Sequence, residues 1–161
     1  INVPKYMFLL SKNVSALINF IIIIGVYFFF CILDGITFGI HMVALVYPII
    51  CLLAFNVGVG MVLSAMYVFF RDTQYLYDIF LTLLTYLSAI FYTVDRFSAT
   101  IQNVFLLNPI YCYIKYFRLV VIDGNIPSLA FHALCAFYAV AALAFGAYIY
   151  KKNNHKFLYY V

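Results

Sequence analysis

Long apolar runs separated by short polar turns set the plan of this chain. From Val14 to Leu33 nearly every position is apolar, with Ser15 and Asn19 in the first turns and Asp34-Gly35 at the close. At about 1.5 Å per residue, a helix of that length matches the roughly 30 Å hydrocarbon core of a bilayer. A second run, from about Met42 to Phe70, is longer than one straight crossing needs, holds Pro48 near its start and ends on Arg71-Asp72. That pattern predicts a tilted helix, or one that begins along the interface and bends near Pro48. The third run, about Tyr75 to Val94, has Asp72 placed as an N-cap, Asp78 near its start and Asp95-Arg96 beyond its end. The fourth, about Ser128 to Tyr150, is followed by Lys151, Lys152 and Lys156.

Between the third and fourth runs lies an exception. Residues 109–122 are apolar and aromatic but carry Lys115 and Arg118, with Asn108 placed as a cap and Pro109 at the first helical position. The segment is too short to span, and its two cations favour a re-entrant or interfacial helix that enters and leaves on one side. The expected fold class is therefore all-α: a polytopic helical membrane protein with four transmembrane helices plus a short re-entrant helix on the extracytoplasmic side. Four crossings bring Lys5, Lys12, Arg71, Lys151, Lys152 and Lys156 to one face, against Arg96, Lys115 and Arg118 on the other. By the positive-inside rule the shared face of the termini is cytoplasmic.

Composition agrees: 68% of the 161 residues are hydrophobic and only 9% charged, with a mean hydropathy of +1.09, outside the range of soluble domains. The net charge of +4 sits at the ends of apolar runs, where it marks topology, so no nucleic-acid partner is expected. Cys31, Cys51, Cys112 and Cys135 are scattered with no metal-ligand spacing and read as packed thiols. We nonetheless expect Cys112, in the short helix, to be reachable by an impermeant thiol reagent from outside, and a cysteine placed at Thr73 not to be. His41, His132 and His155 pair with no nucleophile, and no H-E-x-x-H, G-x-S-x-G or P-loop pattern occurs. The chain starts at Ile1 with no signal-peptide pattern, which reads as the start of a piece lacking its natural N-terminus.

Smaller features add detail. Gly35 and Gly39, Ala54 and Gly58, Gly60 and Ser64, and Ala142 and Gly146 recur at helix-contact spacing. With 16 Tyr, 18 Phe and no Trp, many aromatic rings must face neighbouring helices or a path, Tyr86, Phe91 and Tyr92 first among them. Asp78 reads as a cap or headgroup-level carboxylate before it reads as a proton relay. Residues 2–12 mix apolar Val3, Met7, Phe8, Leu9 and Leu10 with Pro4, Lys5, Tyr6 and Lys12, so they can lie along the cytoplasmic interface, either as a lever or as a basic anchor.

An ordered set of short signals runs along the chain: Val3-Pro4-Lys5-Tyr6 and Leu10-Ser11-Lys12-Asn13, then Phe69-Phe70-Arg71-Asp72, Ser88, Asn108-Pro109 and Phe117-Arg118. In this order it resembles the membrane subunit of ABC-2 type exporters, in particular the polysaccharide, O-antigen and teichoic acid export permeases. The resemblance covers essentially all of residues 1–161 as a partial transmembrane domain, from the first cytoplasmic coupling helix onward, with two earlier spans absent. It implies a bacterial inner-membrane transport subunit, not an enzyme, that pairs with a second permease subunit as a homodimer and docks on an ATP-binding subunit. ATP and magnesium would sit on that partner, with no cofactor on this chain, and a lipid-linked glycan would pass between the paired subunits among membrane lipids. Residues 1–12, through Pro4, Lys5 and Tyr6, would couple to the ATPase. Arg71 and Asp72 would form a tight turn or a second contact. Asn108, Pro109, Tyr111, Tyr113, Lys115, Tyr116 and Arg118 would form the outer gate or substrate path, where the two cations would guide the pyrophosphate or anionic sugars beside flat tyrosine faces, or would snorkel to lipid phosphates. Export of a drug or simple lipid is the alternative within this class, and a membrane enzyme acting on a lipid is the alternative outside it.

Overall fold

The computed structural model describes residues 5–35, 39–70 and 72–153, without the side chains of residues 5–10, 12, 67–69, 74 and 153. Every regular element among the described residues is helical: α1 (Lys5–Leu33), a 3-10 helix (Ile40–Leu45) leading into α2 (Val46–Phe69), α3 (Thr73–Leu87), α4 (Ala99–Phe105), α5 (Pro109–Val121) and α6 (Leu129–Asn153). Three stretches are long and apolar enough to cross a membrane: Asn13–Leu33, Ile40–Met66 and Leu129–Lys152. Only 6% of the α1 window is buried within the chain, and Ile22, Phe29 and Leu33 point outward. In water, such apolar surface would forfeit about 25 cal/mol per Å², so an apolar surrounding is what this surface fits.

α1 runs unbroken from Lys5 to Leu33, about 43 Å at the helical rise. Residues 5–12 of the expected interfacial segment therefore form one helix with the first span. In the second run the change of helix type falls between Leu45 and Val46. Pro48 explains it: the ring lacks an N–H for the carbonyl of Ala44 and crowds that carbonyl, so the preceding turn tightens to 3-10 while α-helix follows.

α2 and α6 form the tightest helix pair. Near their starts, Tyr47 Oη donates to the His132 carbonyl at 2.7 Å. Farther along both, Gly58 lies against Ala142 and Leu143, and Gly146 against Gly58. The two helices therefore run parallel, and the chain that leaves the far end of the pair at Phe70 returns to the near end by Leu129. A Cβ on Gly58 would lie 2.6 Å from the Leu143 nitrogen, and one on Gly146 would lie 3.1 Å from Gly58 Cα. Such backbone approach is what small residues at this spacing permit.

The core gathers around α5, which is shorter than any of the three membrane-length stretches. Cys112, Tyr113, Tyr116, Val120 and Val121 pack with Cys135 and Ala139 of α6, Cys51 of α2, Leu45 and Cys31. Cys112 is fully buried, and its thiol donates to the Leu106 carbonyl at 3.2 Å. The expectation that it meets a reagent from outside is corrected by this packing.

Candidate functional site

The candidate outer-gate residues fall on or beside α5, whose start is built as its sequence predicts. Asn108 adopts extended backbone, its side chain accepts from the Ile110 N–H at 3.0 Å, and Pro109 occupies the first turn where no donor is missed. Upstream, α4 meets α5 at a bend of 110°. Tyr138 Oη donates to the Leu106 carbonyl at 2.9 Å, so the tip of the bend lies level with a residue about nine positions, or about 14 Å, along α6. From that depth α5 climbs back: Tyr113 Oη donates to the Cys135 carbonyl at 3.1 Å, and Tyr116 Oη meets His132 Nε2 at 2.7 Å. Successive turns of α5 thus meet successively earlier residues of α6. His132 Nδ1 lies 3.0 Å from the Ser128 carbonyl, which can only accept, so Nδ1 carries a proton, and in the neutral ring Nε2 accepts from Tyr116.

α3 stops at Leu87, short of the helix expected from Tyr75 to Val94, and the reason lies on α5. Asn108 Nδ2 donates to the Leu87 carbonyl at 3.3 Å and to Ser88 Oγ at 3.0 Å. Ala89 then takes a left-handed φ of 51°. Arg118 gathers the carbonyls that follow: Nη2 donates to Ala89 at 2.7 Å and Ile90 at 2.9 Å, and Nη1 to Tyr92 at 3.1 Å. A helix end carries carbonyls without intrahelical partners, and in an apolar surrounding each must find a donor. Asn108 supplies one, to Leu87, and the guanidinium supplies three to the turn that follows the helix, its positive charge facing the negative end of the α3 dipole. Neither reading of Arg118 from sequence, as substrate guide or as snorkelling cation, anticipated this cap. The available signal was a lone Arg inside an apolar helix downstream of a long apolar run, an arrangement that calls for a specific partner.

Lys115 and Arg118, three residues apart, take different partners. The Lys115 ammonium sits 5.9 Å from the centre of the Tyr111 ring, within cation–π reach. Tyr111 is buried against Ala89 and Val94, its ring 5.3 Å from that of Phe105. The three tyrosines proposed for the path are thus well packed in the single chain, two of them through their hydroxyls.

At the opposite end of the pair the picture is different. Asp72 stands at the N-cap position of α3, but its backbone is helical and its side chain makes no cap bond. Thr73 Oγ1 instead donates to the Phe70 carbonyl at 2.6 Å. The capping expected of Asp72 is corrected accordingly: with ψ near zero, its carboxylate is not aimed along the helix toward the free N–H groups. Lys5 and Tyr6 lie in the first turn of α1, though their side chains are outside the described residues, as are Pro4 and Arg71 altogether. Among the described residues no group of three or more His, Cys, Asp or Glu side chains can hold a metal ion. What the α5 region can do chemically is hold a bent helix pair and fix the turn at the end of a neighbouring helix. Comparison with protein families, curated proteins and solved structures gives no match to this chain.

Proposed function

We propose that the chain is the membrane-spanning permease subunit of an ATP-driven exporter of the ABC-2 type, carrying lipid-linked polysaccharide or teichoic acid precursors out of a bacterial cell through its inner membrane. The observation that carries this reading is the α4–α5 pair, bent by 110°, with α5 packed against α2 and α6 and its bend hydrogen-bonded to Tyr138 of α6. In this reading α1, α2 and α6 cross, α3 with the segment to Val94 completes a fourth crossing, and α4–α5 dip from the outside as the gate. The parallel course of α2 and α6 supports it, since one net return between Phe70 and Leu129 keeps Lys151 and Lys152 on the side of Asp72, with Lys5 and Lys12. That basic face is then cytoplasmic.

Nucleotide closure on a separate ATP-binding subunit pushes on residues 1–12 and on the Arg71-Asp72 turn. Paired permease subunits separate along α2 and α3, and the bent pair swings to release the glycan. Tyrosine faces and the two cations of α5 line the exit in the open state. Depletion of the protein in its own cell tests this. The reading expects a lipid-linked polymer to accumulate inside, and an unchanged outer polymer with no such accumulation refutes it.

A further inference from the structure

An open cavity of about 490 Å³ lies between α1, α2 and α5, within the size range of ligand sites. Its α5 wall is one stripe at helical spacing, Ile110, Tyr113, Ile114 and Phe117, ending at Arg118. Phe20, Ile23, Ile24, Tyr27 and Leu52 form the opposite wall, and Ile90 the rim. α5 climbs from the deep end of the bend toward the start of α6, so the apolar end of the groove is deep and the cation is near the surface. The groove follows α5 for about 12 Å, the length for part of one acyl chain. Arg118 spends three of its five N–H donors on carbonyls, leaving one on Nη1 and the one on Nε. Those carbonyls are neutral, so they occupy donors without balancing the charge.

We propose that this groove binds an anionic phospholipid of the surrounding bilayer, with one acyl chain along the Ile110–Phe117 stripe and the phosphate on Arg118. The arrangement is independent of what the protein transports. It fixes the depth of α5 by tying its one groove-facing cation to the headgroup layer, while the same guanidinium holds the end of α3. A zwitterionic lipid fills the apolar stripe equally well but matches the charge less well.

The chain has no Trp, so a single tryptophan reports on the groove without background. In bilayers, Phe117→Trp should be quenched more by dibrominated phosphatidylglycerol than by dibrominated phosphatidylcholine, with about fivefold preferential association. Ile22→Trp, on the exposed face of α1, should show no preference. Arg118→Gln should abolish the preference and Arg118→Lys keep it. Should Arg118→Gln fail to fold, the comparison of the two lipids at Phe117→Trp decides alone. Equal quenching by both lipids overturns the proposal. Absence of quenching by either overturns it too, because a protein segment or a second copy then fills the groove.

Discussion

Arg118 and Ala89 are 29 residues apart in sequence, yet Nη2 of the first donates to the carbonyl of the second at 2.7 Å, where the chain turns through a left-handed φ of 51°. The contact joins the end of α3 to the rising limb of the bent pair. Together with Asn108, whose side chain donates to the Leu87 carbonyl, it holds the turn at which α3 ends.

Removing that cation should cost stability in proportion to the donors lost. Arg118→Leu removes three hydrogen bonds, one part-buried and two exposed, each worth about 0.5–1.5 kcal/mol net, so a loss of at least about 1.5 kcal/mol is expected. Arg118→Lys keeps a donor and a charge but not the fork, and should fall between. Thermal unfolding in nanodiscs reads the order, and a Leu variant as stable as the parent contradicts the cap.

Ala89 sets two effects against each other. Glycine relieves a left-handed strain of about 1–2 kcal/mol, but it loses a buried methyl group worth about 0.8 kcal/mol and gains unfolded-state freedom worth about 0.4–1 kcal/mol. Ala89→Gly should therefore lie within about 1 kcal/mol of the parent. Ala89→Val, a branched side chain in a fully buried left-handed position, should unfold well below it. Equal melting of the two variants would rule out the strained conformation.

Asn108 has two separable jobs. Asn108→Ser keeps an acceptor for the Ile110 N–H but is too short to reach Leu87, so about 1 kcal/mol should go; Asn108→Ala loses cap and staple, about 2 kcal/mol. If serine and alanine cost the same, the link to α3 carries no energy.

These contacts also separate what the sequence discloses from what it does not. The apolar runs, the Asn108-Pro109 cap and the small-residue faces at Gly58, Ala142 and Gly146 follow from local rules, helical period, cap chemistry and small-residue spacing, though not which faces meet. The end of α3 at Leu87 does not, because no breaker residue stands there. Its donors come from Asn108 and Arg118, 21 and more residues later. Cys112 shows the same limit: one helix position cannot reveal that its turn faces Leu106 and α6 rather than solvent. Asp72 is the converse, a residue of cap type whose backbone does not take the cap geometry.

The α2–α6 contact predicts a sharp contrast between glycines. A Cβ at Gly146 would press on the Gly58 backbone, whereas one at Gly25 meets nothing within 4 Å. Gly146→Ala should destabilise by about 1–3 kcal/mol through forced separation of the helices. Gly25→Ala should stabilise by about 0.5–1 kcal/mol through helix propensity alone. Matched shifts in unfolding temperature for the two would contradict the close crossing.

Parallel α2 and α6, with a single net return of the chain between them, are tested most directly by thiol accessibility in intact cells. The four native cysteines are buried and give a quiet background, while Asp72, Ser98, Asn125 and Lys152 are exposed. An impermeant reagent added outside should label Ser98→Cys and Asn125→Cys and leave Asp72→Cys and Lys152→Cys untouched until the membrane is opened. Labelling of Asn125→Cys and Lys152→Cys from the same side, or of Asp72→Cys together with Ser98→Cys, would contradict it.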